Sequence, residues 1–274
     1  MAGRRRAAVL GKPIAHSLSP VIHNAGYAAA GLTGWSYTRI ECAESELPGL
    51  VAGLGPEWAG LSVTMPGKEA ALAVADAASP VATAVGAANT LVRRPDGSWY
   101  ADNTDVAGMV EVLTGAGVRP GASVTVLGAG GTARATLAAA AGLGAREVTV
   151  VARRPEAVAE LRPVAEAVGV RLIGAGWAEA AGHAGADVVI STVPKGVADP
   201  VAVEVAWRAG TVLFDALYDP WPTPLAAAAA AAGCRVVSGL DLLLAQAVGQ
   251  FEQFTGVAAP REAMAAALAA ARER

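Results

Sequence analysis

The sequence predicts an α/β protein of two domains, an N-terminal α/β domain followed by a doubly wound parallel-sheet domain. Three observations carry this expectation. The chain has 274 residues, which at roughly 150 residues per domain fits two. Short apolar strands alternate with helical stretches along most of its length. A glycine cluster, Gly128-Ala129-Gly130-Gly131, directly follows one of those strands and opens a helix.

The elements follow in order. Ala7–Gly11 is a short apolar run ended by Gly-Lys-Pro, and Ser19–Ala30 reads as a helix after a Ser-Pro start. Trp35–Glu41 is rich in strand formers, and Ala59–Met65 is a further apolar run stopped by Pro66. Lys68–Ala77 is helical, while Asn89–Arg93 and Ser98–Tyr100 flank the hairpin signal Pro95-Asp96-Gly97. Val106–Leu113 is helical. The strands Val124–Leu127, Glu147–Ala152, Arg171–Ile173, Asp187–Thr192, Val212–Asp215 and Arg235–Val237 then alternate with helices or loops. Such alternation predicts a parallel sheet covered on both faces. The alanine run at 226–232 lies between Pro224 and Gly233 and reads as a helix. From Leu240 on the chain is nearly all helix, with Pro260 starting the last one.

Composition narrows the function. Hydrophobic residues make up 54% and charged ones 16%, so disorder is excluded. Mean hydropathy is +0.42, but no stretch approaches the roughly 20 strongly apolar residues that span a bilayer. A net charge of −3 from 21 basic and 24 acidic residues offers no field for nucleic acid. The expectation is a soluble globular protein. Its N-terminal apolar run is too short for a signal-peptide core, which makes the cytoplasm the default. Cys42 and Cys234 read as two free buried thiols, a disulfide being the alternative. His16 and His23 lack a third ligand in register and His183 sits in an Ala/Gly-rich stretch, so no metal is predicted. His16 is expected to orient its loop by hydrogen bonding.

The glycine cluster continues into Thr132-Ala133, completing a G-x-G-x-x-A pattern between strand and helix. The first glycine makes the tight turn, the second lets the backbone approach a pyrophosphate, and Ala133 allows close helix–strand packing. The helix N-terminus offers N–H groups and partial positive charge to phosphate. This is the signature of a Rossmann-type dinucleotide domain; a glycine turn with no ligand is the bland alternative. About 20 residues on, where NAD-binding chains place Asp or Glu, the sequence has Ala152-Arg153-Arg154. Two guanidiniums suit the 2′-phosphate of NADP, although solvated surface arginines with Glu156 nearby would look the same.

Polar residues cluster in the first hundred positions. Ser17 and Ser19 precede a helix and can bind a carboxylate through hydroxyls and N–H groups; ordinary N-capping by Ser19 is the competing reading. Ser62-Val63-Thr64-Met65-Pro66-Gly67-Lys68 ends a strand with a hydroxyl and then an amine. Lysines are few, Lys12, Lys68 and Lys195, and lysine, unlike arginine, exchanges a proton. Ala88-Asn89-Thr90 and Asp102-Asn103-Thr104-Asp105 add an amide and a carboxylate. Taken singly, a solvated helix start explains Lys68 and helix N-capping explains Asp105.

Together, G-x-P-I-x-H-S-x-S-P at the start, V-T-x-P-x-K, A-x-N-T, D-N-T-D, G-A-G-G and the Ala-Gln at Gln246 resemble, in order and spacing, the shikimate/quinate dehydrogenase family. The resemblance runs over essentially the whole chain. It implies a substrate-binding catalytic domain of residues 1–105 plus a returning 241–274, an NADP-binding domain of 106–240, and an active site in the interdomain cleft. It implies that Ser17, Ser19 and Tyr218 bind the substrate carboxylate, and that Thr64, Asn89, Asp105 and Gln246 hold ring hydroxyls. Lys68 would be the catalytic acid/base with Asp105 as partner. Gly128, Ala129, Gly130, Gly131 and Thr132 would cradle the pyrophosphate, Ala152, Arg153 and Arg154 the adenosine phosphate, and Ala216 and Gly239 would approach the nicotinamide through their backbones.

The sequence departs from the family in places. Ser62 stands where many members carry Asn, Gly67 replaces a bulkier residue, and Lys12 falls where Asn is common. Asp241 sits where a glycine is frequent, and Ser191-Thr192-Val193-Pro194 replaces an Asn-Ala-Thr pattern. The expected activity is NADP-dependent reduction of 3-dehydroshikimate to shikimate, in chorismate and aromatic amino acid biosynthesis. A quinate or aminoshikimate dehydrogenase, or a non-catalytic NADP-binding sensor, are the alternatives. The expected partners are the small-molecule substrate and NADP, with no nucleic acid and no membrane, in a monomer or homodimer.

Overall fold

In the computed structural model, which describes residues 4–272, the chain divides into two units. One comprises the chain up to Asp105 joined by the chain from Leu243 on, and the other is Val106–Leu242.

The first unit contains β1 (Arg5–Gly11), α1 (Ser19–Ala29), β2 (Trp35–Glu41), α2 (Leu47–Ala52), β3 (Trp58–Val63), α3 (Lys68–Val74), β4 (Ala77–Ala78), α4 (Pro80–Val85), β5 (Thr90–Arg93), β6 (Trp99–Asp102) and the start of α5 (Thr104–Gly115). Its sheet runs β2-β1-β3-β5-β6-β4. β1 lies parallel to β2 and β3, whereas β5 is antiparallel to both β3 and β6. Every residue of β3 is buried, as in a sheet covered on both faces.

Two local outcomes differ from the sequence expectation. The helix expected over Lys68–Ala77 stops at Val74, and Ala77–Ala78 pairs with β6 instead. The Asp76 carboxylate accepts the Trp99 N–H at 2.7 Å while the Asp76 N–H donates to the Trp99 carbonyl at 2.9 Å. That double bond to a strand overrides the helix propensity of the alanines. The short helix α4 was not foreseen; Ser79 caps it by accepting the Ala82 N–H at 3.0 Å.

The second unit contains β7 (Val124–Leu127), α6 (Gly131–Gly142), β8 (Glu147–Ala152), α7 (Pro155–Ala159), α8 (Arg162–Val168), β9 (Arg171–Gly176), α9 (Ala180–His183), β10 (Val188–Ser191), α10 (Asp199–Ala202), β11 (Val212–Asp215), α11 (Pro224–Ala231) and β12 (Arg235–Ser238). The strand order β12-β11-β10-β7-β8-β9 is parallel throughout. This is the doubly wound arrangement, in which the order reverses between β7 and β10, and such sheets bind ligands at the carboxyl ends beside that reversal. β7, β10 and β11 are wholly buried. The chain then enters α12 (Gly239–Thr255) and ends in α13 (Arg261–Arg272). Asp241, a departure from the family pattern, caps the start of α12: its carboxylate accepts the Ser238 N–H and hydroxyl, both at 2.7 Å.

Candidate active site

In the first unit the polar segments meet at strand and helix ends. α3 starts at Lys68, whose carbonyl accepts the Ala88 N–H at 2.9 Å, and Asp105 lies in the first turn of α5. The Lys68 ammonium donates to the Asp105 carboxylate at 2.6 Å, with the two side chains only 23% and 13% exposed. Neither the solvated helix start nor the simple N-cap therefore describes these residues. An ammonium held this way can give a proton to a developing oxyanion or stabilise it.

Asn89 is buried beside this pair's helix. Its Oδ1 accepts the Thr104 N–H at 2.8 Å and the Thr90 hydroxyl at 2.7 Å, and its Nδ2 donates to Thr104 Oγ1 at 3.0 Å. Thr64 follows β3, half-buried, and a Cβ on Gly11 would lie 2.5 Å from its Cγ2. Glycine there is what lets the two segments approach.

The opening loop is organised differently from either sequence reading. Helix α1 starts without a side-chain cap, so Ser19 is not an N-cap; it is the first helical residue and is buried. Ser17 Oγ accepts the Ser19 N–H at 3.3 Å. His16, expected to orient the loop, is exposed and makes no hydrogen bond among the described residues. Arg39 of β2 does this instead, donating to the Ser17 carbonyl through Nε at 2.8 Å and Nη2 at 2.5 Å. Gln246 is buried on α12 and donates to the Leu243 carbonyl of its own helix at 2.8 Å. One turn later Gln250, which the sequence reading passed over, reaches into the Asn89 cluster. Its spacing of four from Gln246, which sets both on one helix face, was the available signal.

The second unit has a glycine loop between β7 and α6. Gly128 has φ of +104°, and a Cβ on it would lie 2.7 Å from Thr192 Oγ1, at the end of β10. Only glycine accepts both conditions. Around Gly130 and Gly131 an added Cβ would meet nothing. Helix α6 begins with no side-chain cap and no acidic residue in its first turn, so its N–H groups and positive dipole end remain for an anion. Ala129 and Thr132 are half-buried, and Ala133 is fully buried under the helix. Together these fit a pyrophosphate cradle. Ala152 closes β8 in a buried position, and Arg153 and Arg154 follow it exposed. Ala216 and Gly239 touch through backbone: a Cβ on Gly239 would lie 2.1 Å from the Ala216 carbonyl oxygen. Asp215 shapes this loop, accepting the Thr223 hydroxyl at 2.7 Å and the Leu217 N–H at 3.2 Å, while burial raises its pKa. Burial, and then the neighbouring Asp219 carboxylate, raise the Tyr218 phenol.

Comparison with known proteins bears on what these features serve. A family model described as the shikimate dehydrogenase substrate binding domain matches residues 9–91, and one described as the shikimate 5′-dehydrogenase C-terminal domain matches 239–269. Between them, a model described as NADP oxidoreductase, coenzyme F420-dependent, matches 123–218. The NADP(+) shikimate dehydrogenase of Methylobacterium radiotolerans is 42% identical over 264 residues, covering 92% of this chain and 91% of that protein. The chain belongs to the shikimate dehydrogenase family. Among solved family structures, the Mycobacterium tuberculosis shikimate dehydrogenase shares 51% identity at a TM-score of 0.89, over 97% of this chain and 99% of that one. The Thermus thermophilus shikimate 5-dehydrogenase, solved with NADP(H) and shikimate, shares 32% identity at a TM-score of 0.84, over 97% and 99%. Among the described residues, no helix is long and apolar enough to cross a membrane.

Proposed function

We propose that this family member catalyses the reversible NADP-dependent reduction of 3-dehydroshikimate to shikimate, a step in chorismate and aromatic amino acid biosynthesis. The observation that carries this reading is the 2.6 Å Lys68–Asp105 pair, set beside the Asn89–Thr104 cluster in a chain of this family. NADPH, when bound, supplies the hydride that reduces the ring ketone.

The residues of the chain do the rest. Lys68 donates a proton from Nζ to the carbonyl oxygen as negative charge develops there, and takes one from the hydroxyl in the reverse direction. Asp105 accepts a hydrogen bond from the ammonium and keeps Nζ oriented. Ser17 and Ser19, with Tyr218, are assigned to the substrate carboxylate, and Thr64, Asn89, Asp105 and Gln246 to ring hydroxyls. Gly128–Thr132 are assigned to the pyrophosphate, where free N–H groups of α6 suit an anion. Ala152, Arg153 and Arg154 are assigned to the adenosine phosphate, and the backbones of Ala216 and Gly239 to the nicotinamide. In this reading the first unit is the substrate domain and the second the NADP domain. The unpaired cysteines Cys42 and Cys234 support a cytoplasmic location. All the proposed groups come from one chain, so a monomer or a homodimer would serve alike.

The test is absorbance at the reduced-nicotinamide band, with purified protein and each pairing of shikimate or quinate with NADP or NAD. Fast turnover with shikimate and NADP alone is the expected result. Preference for quinate or NAD would overturn the specificity, and nucleotide binding without turnover would overturn the enzymatic reading.

A further inference from the structure

A chain of buried polar groups runs behind Asn89, and the proposed chemistry does not use it. Tyr37 Oη donates to Ser62 Oγ at 2.5 Å, and Ser62 Oγ donates to Gln250 Oε1 at 2.6 Å. Gln250 Nε2 then donates to Thr90 Oγ1 at 3.0 Å and to the Asn89 carbonyl at 3.1 Å. Thr90 Oγ1 passes the sequence on to Asn89 Oδ1 at 2.7 Å. Gln250 is 1% exposed, and an amide buried this deeply is costly unless its groups are matched.

The directions in this chain are set by groups that have no choice. A backbone carbonyl only accepts, so Gln250 must turn Nε2, not Oε1, toward Asn89. Thr90 receives that N–H and therefore has its own hydrogen to give, and Asn89 Oδ1 at 2.7 Å is a nearer acceptor than Thr104 Oγ1 at 3.3 Å. At the other end, the Thr104 N–H only donates, at 2.8 Å, so it too requires Asn89 Oδ1. At the far end, Ser62 gives its hydrogen to Gln250 Oε1 and therefore accepts the Tyr37 hydroxyl, whose proton burial retains. Asn89 Oδ1 thus faces the Thr90 hydroxyl, the Thr104 N–H and, at 3.2 Å, the Thr104 hydroxyl. Its Nδ2 spends one hydrogen on Thr104 Oγ1, and an amide nitrogen has two to give.

We infer that Gln250 is a positioning residue for the reaction, holding Asn89 so that it presents an N–H, and not its oxygen, to the ring hydroxyl it binds. This rests on the assignment of Asn89 to a ring hydroxyl. That hydroxyl must accept at Asn89 and direct its own hydrogen elsewhere. Gln250 touches no substrate; it acts through Thr90 and the Asn89 backbone.

Gln250→Leu tests this by steady-state kinetics, with Thr90→Val as the variant that cuts the same link while leaving Gln250 in place. Each is expected to raise KM for shikimate roughly five- to tenfold, the scale of one misdirected hydrogen bond. kcat should stay within about threefold, since a group that holds ground and transition states alike acts on KM. A residue that only stabilised the fold would lower the active fraction, so that kcat fell and KM did not. That pattern in both variants would overturn the inference. In an Asn89→Ala background, Gln250→Leu should add less than about twofold, whereas fully additive effects would contradict it.

A readout independent of turnover separates this inference from the functional reading. In ligand-free protein, the side-chain amide signals of Asn89 should be well resolved in the wild type and shifted or broadened in Gln250→Leu. Unchanged signals would overturn the positioning role. Absence of wild-type turnover with shikimate would instead defeat the functional reading, and the amide signals would still decide the role of Gln250.

Discussion

The two units prepare their sites by opposite means. In the first, side chains make the fixing hydrogen bonds: Lys68 to Asp105, Asn89 to the Thr90 and Thr104 hydroxyls, and Arg39 to the Ser17 backbone carbonyl. In the second, the pivotal positions carry almost no side chain, and Gly128, Gly130 and Gly131 leave backbone N–H groups and room. The difference follows from what each would bind. A ring with several hydroxyls is told apart by directed donors and acceptors, whereas a pyrophosphate needs N–H groups and a positive dipole end. Charge and proton chemistry should therefore break the first unit and steric change the glycine loop of the second, where only the choice of nucleotide rests on charged side chains.

Lys68→Ala should have the largest effect. Loss of a positioned acid/base is worth about 10²- to 10⁴-fold in kcat, and titration of the nucleotide should show its affinity unchanged. Equal turnover in wild type and variant would remove Lys68 from the chemistry. Next, replacing Arg153 and Arg154 together by alanine should lower the preference for NADP over NAD by about 10- to 100-fold, the scale of charge-assisted hydrogen bonds. The ratio of kcat/KM values for the two nucleotides measures it, and an unchanged ratio would mark them as surface arginines.

Gly128→Ala probes the second unit by steric change. At φ of +104°, with a Cβ 2.7 Å from Thr192 Oγ1, the substitution should cost about 1–3 kcal/mol. The readouts are a lower Tm and weaker nucleotide binding, with shikimate binding intact. A variant with wild-type Tm and nucleotide affinity would show that this turn tolerates a side chain.

The effect that is smallest at neutral pH, and grows only on acidification, concerns the buried first-unit core. Burial lowers the His23 pKa from 6.5 to about 3, against a smaller opposing effect of Gln250. Between those values the unfolded chain binds a proton that the folded one does not, so stability falls as pH drops from 6.5 toward 3. The slope is at most about 1.4 kcal/mol per pH unit. Denaturant unfolding at a series of pH values should show it, and His23→Phe should flatten it. An equal slope in the variant would assign the acid sensitivity to other groups.

What was legible in the sequence tracks how local each feature is. The glycine loop was readable because its turn, phosphate room and helix start occupy consecutive residues. Lys68 and Asp105 stood out as motif members, but their 2.6 Å contact depends on α3 and α5 meeting and could not be read from either segment. Arg39 and Ser17 are far apart in sequence, and nothing in β2 marks Arg39 as the loop's anchor, so the role fell wrongly to His16. Ala77–Ala78 carries no strand propensity, and its strand is held by bonds on either side, Asp76 with Trp99 and the Ser79 N–H with the Ala101 carbonyl. Gln250 was within reach, four residues after Gln246, but its partners Ser62, Asn89 and Thr90 come together only in the folded sheet.

That Lys68 works by exchanging a proton and not by charge alone is checked by kcat of Lys68→Arg beside Lys68→Ala at saturating substrate and NADP. Arginine keeps the positive charge and does not give up its proton. Lys68→Arg should fall to within about tenfold of Lys68→Ala, the loss of acid–base function dominating. Near wild-type turnover in Lys68→Arg would contradict it and leave Lys68 as a fixed positive charge.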